Sequence, residues 1–208
     1  MKKLVLFLLL SIGVLTASAQ GTTTMVTVYQ AFKPATIHLV DGRQLKVSLA
    51  NIFLKNSGLL YISGHDTKEA SLQNISTVEF QDRTYYRIDS VLAYQVDTVN
   101  HQPLYCAQRI DLVAWKGMII NNRQLDNISL GDMLTYSATE LADQHDIHFP
   151  LINVYYFQID GKYVLAHERN LKRVLDKEKR RLMASVMSEP EFSWTSEKSL
   201  LKLLKYIQ

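Results

Sequence analysis

Cysteine, glycine and proline are all scarce in this sequence, and each shortage excludes a class of protein. The chain of 208 residues has one cysteine, Cys106, so it cannot form an internal disulfide. Eight glycines and four prolines exclude collagen-like and low-complexity chains. A hydrophobic content of 47% excludes a wholly disordered chain. We therefore expect a globular protein that is stabilised by its core, with Cys106 inert inside a strand.

The motifs that fix a nucleophile, a phosphate or a zinc ion by their spacing are also missing. The sequence contains no G-x-S-x-G, no G-x-x-x-x-G-K-[ST], no H-E-x-x-H and no G-x-G-x-x-G. His167-Glu168 begins like the zinc motif, but Leu171 stands where the second histidine is needed. The sequence therefore predicts no cofactor and identifies no reaction.

The first 19 residues have the three parts of a secretory signal peptide. Lys2-Lys3 precedes the apolar run 4–15, which is shorter than the ~20 residues that span a bilayer. Ala17-Ser18-Ala19 forms a cleavage site. Cleavage before Gln20 predicts a soluble mature chain without a transmembrane segment, located in the periplasm, at the cell surface or outside the cell.

Removal of this leader leaves a mature chain that is almost neutral. The full sequence has 23 basic and 20 acidic residues, and the leader takes two of the basic ones, so 21 basic residues remain. A net charge of +1 gives no electrostatic reason to expect a nucleic-acid partner.

The first half of the mature chain consists of short β-type runs with turn residues between them. Asp41-Gly42 predicts a tight hairpin. A second hairpin is predicted between strands 51–55 and 59–63, with Gly58 in the left-handed conformation. About five short strands between residues 35 and 80 predict a small SH3-like or Sm-like barrel, whose closure would hide the strand edges.

Longer elements follow, and helices come last. An antiparallel meander is predicted to include a strand over 104–115, and a helix is predicted over 129–141. Asp160-Gly161 predicts another hairpin. Apolar residues at helical spacing predict one helix over 168–187 and a last helix from Thr195. The fold class is therefore predicted as α+β, with a β-rich N-terminal part and two C-terminal helices.

Three regions follow from this pattern. We expect the signal peptide at 1–19, a small barrel-like unit at 20–90, and a meander with the C-terminal helices at 91–208. The two mature regions are predicted to pack together as one body.

Three features of the chain occur together. They are the leader with its Ala19-Gln20 junction, the Leu104-Tyr105 strand after a long hairpin, and Asp160-Gly161-Lys162-Tyr163 followed by a charged helix and a leucine-rich one. In this combination the chain resembles the small exported proteins of Bacteroidota-type bacteria. The resemblance covers most of the chain, implies a periplasmic or cell-surface setting, and brings no catalytic residue with it.

Three aspartates on neighbouring predicted strands are the candidate catalytic residues. Hydrolysis of a glycosidic bond uses two carboxylates roughly 5 to 10 Å apart, and Asp89, Asp97 and Asp111 could share one face. Polar residues on the exposed face of an antiparallel sheet produce the same pattern. A small cell-wall or glycan hydrolase is therefore the alternative function.

A group of potential metal ligands lies in one short stretch. Asp143, His145, Asp146 and His148 supply carboxylates and imidazoles, which suit zinc or another divalent ion. The same residues are also typical of an acidic turn exposed to solvent, and their spacing matches no established metal site. We therefore expect no bound metal.

Charge is distributed unevenly along the chain. Residues 168–181 contain seven basic and three acidic side chains, whereas 126–146 contain five acidic ones and no lysine or arginine. Lys177, Arg180 and Arg181 form the predicted contact surface for an envelope protein, a glycan or an anionic surface. A charged helix face that is merely solvated, or that lies against the acidic segment, is the other interpretation. The sequence favours a non-enzymatic exported envelope protein that acts as a binding or assembly module.

Overall fold

The computed structural model describes residues 21–121 and 148–207, and most of the helices follow the strands. The strands are β1 (Thr22–Thr23), β2 (Lys33–Leu39), β3 (Gln44–Phe53), β4 (Gly58–Ser63), β5 (Asp66–Glu69), β6 (Ile75–Phe80), β7 (Thr84–Ile88), β8 (Val91–Val99), β9 (Gln102–Ile110), β10 (Phe149–Ile159) and β11 (Lys162–Leu165). The helices are α1 (Leu112–Asn121), α2 (Glu168–Val174), α3 (Lys177–Met187) and α4 (Glu197–Leu204), and a 3-10 turn spans Leu72–Asn74. This arrangement confirms the predicted α+β class.

Several sequence predictions fall outside the described residues. They are the signal peptide at 1–19, the helix at 129–141, and the metal candidates Asp143, His145 and Asp146.

The eleven strands form one antiparallel sheet. Its order is β1-β10-β9-β8-β7-β6-β2-β3-β4-β5, with β11 also beside β10. Strands β2 to β5 form one meander, and β6 lies beside β2 with Ile37 opposite Val78. The predicted boundary at residue 90 falls in the β7–β8 turn, and the sheet continues across it with Tyr86 opposite Ala93.

The sheet curls until the β3–β4 turn reaches β8 and β9. The Leu92 N–H donates to the Ser57 carbonyl (2.8 Å), and the Ile110 N–H donates to the Leu54 carbonyl (2.7 Å). Between them, the Ser57 hydroxyl donates to the Gln108 carbonyl (2.9 Å). The turn therefore bonds to the ends of β8 and β9, beyond the point where those strands pair with each other at Tyr94 and Cys106.

Two large clusters of apolar side chains stabilise this sheet. One lies within the curled part and includes Ile37, Ile52, Leu59, Val78 and Leu92. The other lies between strands β8 to β11 and helices α2 to α4, and its fully buried members are Leu104, Cys106, Phe157, Leu171, Met183, Leu200 and Leu203. Burial of such side chains is the main source of stability in a chain without disulfides.

Three of the predicted elements are wrong in their extent. The strand predicted at 51–55 belongs to β3, which runs without a break from Gln44 to Phe53. The predicted helix 168–187 is two helices, because Leu175 is extended (ψ 145°) and the Asp176 carboxylate accepts the Lys179 N–H (2.8 Å) and starts α3. The predicted strand 104–115 ends at Ile110. Asp111 then caps α1 by accepting the N–H groups of Val113 (3.1 Å) and Ala114 (2.9 Å).

The turns confirm two glycine predictions and correct a third. Gly42 (φ +87°) and Gly161 (φ +74°) have the expected left-handed conformation. In the β3–β4 turn the positive φ belongs to Ser57 (+55°), not to Gly58. The reason is the hydrogen bonding of Ser57 to β8 and β9, which holds this residue in the turn.

Candidate functional site

Three connections of the curled sheet border one pocket. They are the β3–β4 turn, the chain from β5 through the 3-10 turn, and the end of β7 with the β7–β8 turn. The pocket has a volume of about 260 Å³. We call it the Arg87 pocket, and its lining residues are Asn56, Gly58, Glu69, Ala70, Leu72, Gln73, Arg87, Asp89 and Ser90.

Asn56 links the β3–β4 turn to the end of β5 through hydrogen bonds. Its Oδ1 accepts the N–H of Gly58 (2.9 Å), and its Nδ2 donates to Oε1 of Glu69 (2.5 Å). A methyl group at Gly58 would lie 2.8 Å from Asn56 Oδ1 and 2.9 Å from Glu69 Oε1, closer than real Cβ contacts. A larger residue at position 58 would therefore displace the Asn56 and Glu69 side chains, and the predicted conformational reason for glycine does not apply because its φ is not positive.

Arg87 is one of four side chains in the described ranges with a buried polar atom that has no hydrogen-bond partner, and the others are Tyr29, Tyr85 and Trp115. Arg87 is half-buried, and its Nε is fully buried without a hydrogen-bond partner. Within residues 21–121 and 148–207 it also makes no ion pair, although the carboxylates of Glu69 and Asp89 line the same pocket. A buried donor without an acceptor is unfavourable by about 1–3 kcal/mol, and more for a charged group. The fold therefore places a guanidinium at this pocket without an ion-pair partner among the described residues.

The three candidate aspartates do not share one pocket. Asp89 lies in the β7–β8 turn with a positive φ (+52°) and lines the Arg87 pocket. Asp97 is eight residues further along, about 25 Å at the usual strand rise, and its carboxylate accepts the Thr98 N–H (2.7 Å). Asp111 is the cap of α1. Each thus has a separate structural position.

Only one of the predicted metal ligands, His148, is among the described residues, and it is exposed just before β10. In the part of the chain that the structure describes, no group of three or more His, Cys, Asp or Glu side chains could hold a metal ion.

The predicted basic surface lies on α3, where Lys177, Arg180 and Arg181 are all exposed. Arg180 also has a structural contact, because its Nε donates to the carbonyl of Leu175 (2.7 Å) at the end of α2. This bond fixes the junction between the two helices. Lys177 and Arg181 are therefore the better representatives of a contact surface.

Cys106 is fully buried on β9, as its strand pattern predicts. Burial raises the pKa of its thiol to about 11. Since the thiolate is the reactive form, Cys106 is not a nucleophile at neutral pH in the folded protein.

A larger but shallower groove lies over β2, β3 and β6. Its volume is about 480 Å³, and Val47, Phe80, Lys46 and Glu79 are among its walls. Lys46 and Glu79 are exposed, and Glu79 contacts His38 (3.3 Å). The groove thus lacks the buried, unpaired polar group that distinguishes the Arg87 pocket.

Sequence reasoning missed Arg87 and Glu69. The available signal was the alternation in Thr84–Ile88, which puts Arg87 on the same face of the strand as Tyr85, a side chain that is only 2% exposed. A cation on the inward face of a strand requires a partner or a ligand, so this position was a detectable candidate.

Comparison of the chain with family models, with curated proteins and with solved structures gives no match. None of the described helices is both long enough and apolar enough to cross a membrane.

Proposed function

We propose that this chain is an exported binding module of the cell envelope and that the Arg87 pocket is its ligand site. The observation that carries the proposal is the half-buried guanidinium of Arg87, which lines the pocket and makes no ion pair among the described residues. A guanidinium forms its strongest hydrogen bonds with an anionic acceptor, and a ligand in the pocket could supply one.

Export is proposed from the leader. Lys2-Lys3, the apolar run 4–15 and the Ala17-Ser18-Ala19 site have the pattern of a secretory signal. The mature chain would then begin at Gln20 and act in the periplasm or at the cell surface, and the resemblance to Bacteroidota-type exported proteins agrees with this setting.

A small SH3-like or Sm-like barrel is the proposed scaffold of the pocket. Strands β2 to β6 support it by their order, β6-β2-β3-β4-β5, in which the last strand in sequence lies beside the first. This pairing brings the ends of a five-strand unit together, as closure of a small barrel requires. Two of the three pocket-forming connections, the β3–β4 turn and the chain after β5, belong to this unit.

A contact with an envelope protein, a glycan or an anionic surface is proposed for Lys177 and Arg181 on α3, with Arg180 at its edge. Exposed basic side chains attract such partners over about 8–10 Å, and added salt weakens the attraction. This contact would orient the module, while the pocket holds the ligand.

The hydrolase alternative requires cooperation among Asp89, Asp97 and Asp111. Their separate positions give it no support. A chromogenic glycoside or peptidoglycan assay provides the direct test, and hydrolysis that is lost in Asp111→Asn would favour the hydrolase over the binding module.

Two measurements test the proposed function. The intact mass of the protein from the envelope fraction should correspond to a chain that starts at Gln20, and retention of residues 1–19 would contradict export. Low-molecular-weight envelope extract should raise the melting temperature of the mature protein but not that of Arg87→Met. The matched control is Arg173→Met, which removes an exposed arginine of α2 and should respond like the wild type.

A further inference from the structure

The Arg87 pocket keeps opposite charges in one cavity without pairing them. The guanidinium is half-buried, whereas Glu69 and Asp89 are exposed at the rim. None of the ion pairs among the described residues joins Arg87 to either carboxylate. One oxygen of Glu69 is held by Asn56, and its other oxygen has no bond within the described chain.

A ligand with a single charge does not fit this arrangement. A simple anion would be attracted by Arg87 but repelled by the two carboxylates, and a simple cation would meet the opposite conflict. A molecule that carries both charges can place a negative group on Arg87 and a positive group near Glu69 and Asp89. The charges of the pocket therefore select for a zwitterion.

The size and lining of the pocket restrict the ligand further. Its volume of about 260 Å³ lies just below the usual ~300–1,000 Å³ of pockets for drug-sized molecules. No aromatic ring is among its described lining residues, so it offers no stacking surface for a sugar. A carboxylate bonds a guanidinium through two parallel N–H groups, roughly twice as strongly as a neutral acceptor does.

We propose that the Arg87 pocket binds a small α-amino acid, or a compound that ends in one, through its carboxylate and its ammonium group. The carboxylate contacts the two terminal nitrogens of the Arg87 guanidinium, and the ammonium contacts the free oxygens of Glu69 and Asp89. Gln73 and Ser90 are available to uncharged polar atoms of the ligand. The inference rests on the proposed function, because it assigns a ligand class to the same pocket.

The test is a calorimetric titration of the full mature protein with L-alanine and D-alanine and with two blocked forms of each. Alanine amide lacks the carboxylate, and N-acetylalanine lacks the ammonium group. At least one alanine enantiomer should bind ten or more times more tightly than both of its blocked forms. Equal binding of the free and blocked forms, or binding of glucose in preference to alanine, would overturn the proposal.

Variants assign each charge of the ligand to a side chain. Arg87→Met should bind alanine and alanine amide equally, since the partner of the carboxylate is gone. Glu69→Gln and Asp89→Asn should instead reduce the difference in affinity between alanine and N-acetylalanine, because the partners of the ammonium group are neutral in these variants. Asparagine tolerates the positive φ at position 89, so Asp89→Asn should keep the turn. Arg173→Met should retain the wild-type preference, and circular dichroism should show that all four variants are folded.

The outcomes separate this inference from the proposed function. If envelope extract stabilises the wild type but not Arg87→Met while neither alanine binds, the amino-acid class is wrong and the binding module stands. If neither the extract nor any probe has an effect that depends on Arg87, both proposals are wrong.

Discussion

Ser57 offers the sharpest test of how the curled sheet is held together. Its side chain is fully buried, its hydroxyl donates to the Gln108 carbonyl at 2.9 Å, and its backbone is left-handed at φ +55°. Two substitutions separate these features. Ser57→Ala removes the hydroxyl and keeps a Cβ in the left-handed conformation, whereas Ser57→Gly removes both the hydroxyl and the conformational strain.

The expected free energies follow from the two features. Loss of the hydroxyl leaves the Gln108 carbonyl without this partner, which should destabilise Ser57→Ala by about 1–3 kcal/mol. A left-handed backbone costs an L-residue about 1–2 kcal/mol, and glycine avoids this cost. Glycine also increases the conformational freedom of the unfolded chain, which lowers the free energy of unfolding by a smaller amount. Ser57→Gly should therefore be more stable than Ser57→Ala by roughly 1 kcal/mol.

Urea unfolding followed by circular dichroism measures these differences. The midpoints should rank wild type, then Ser57→Gly, then Ser57→Ala, with unchanged dependence on urea concentration. A wild-type midpoint for Ser57→Ala would refute the contribution of the Ser57–Gln108 bond. A lower midpoint for Ser57→Gly than for Ser57→Ala would refute the left-handed assignment.

Three further predictions concern the other half of the molecule. A chain that ends before Thr195 loses α4 and its buried leucines, so its free energy of unfolding should fall by several kcal/mol or the chain should aggregate, with little dependence on salt. A truncated chain that melts like the full-length one would contradict this packing. Lys177→Glu combined with Arg181→Glu should change the free energy of unfolding by no more than about 0.5 kcal/mol, because both side chains are exposed. A large drop in melting temperature would show that the two side chains have a structural role. Burial raises the pKa of the Cys106 thiol to about 11, above the value near 9 in the unfolded chain, so the folded state favours the protonated thiol. This preference stabilises the fold in full below pH 9, and the stabilisation should be lost between pH 9 and 11, by at most about 3 kcal/mol. Cys106→Ala should show less loss of stability over that range, and an identical pH profile would contradict the assignment.

Local signals predicted those parts of the fold that depend on neighbouring residues. Gly42 and Gly161 have positive φ because a tight turn between two antiparallel strands requires a positive φ. This requirement is local and does not depend on where the hairpin lies in the sheet. The helix break at Asp176 was also locally encoded, since aspartate is a preferred first cap of a helix. The apolar stripe on both sides of it concealed the break, because α2 and α3 face the same core.

Distant contacts determined what the sequence could not predict. Ser57 has its left-handed backbone because of hydrogen bonds to residues 35 and 51 positions further along the chain. The Arg87 pocket joins three connections that become neighbours only when the sheet curls. Strand alternation gives the face on which Asp89, Asp97 and Asp111 lie but not the distances between them, so the sequence alone did not indicate their separate positions.

The chemical shift of the Arg87 Nε–H group tests the central claim most directly. In a spectrum of ¹⁵N-labelled mature protein, this signal is identified by its absence from Arg87→Met. Addition of alanine should shift it progressively to saturation, while the Nε–H signal of Arg180, which already bonds to the Leu175 carbonyl, should stay in place. An Arg87 signal that does not move at saturating alanine of either hand would contradict the account of this pocket as the site of an amino-acid ligand.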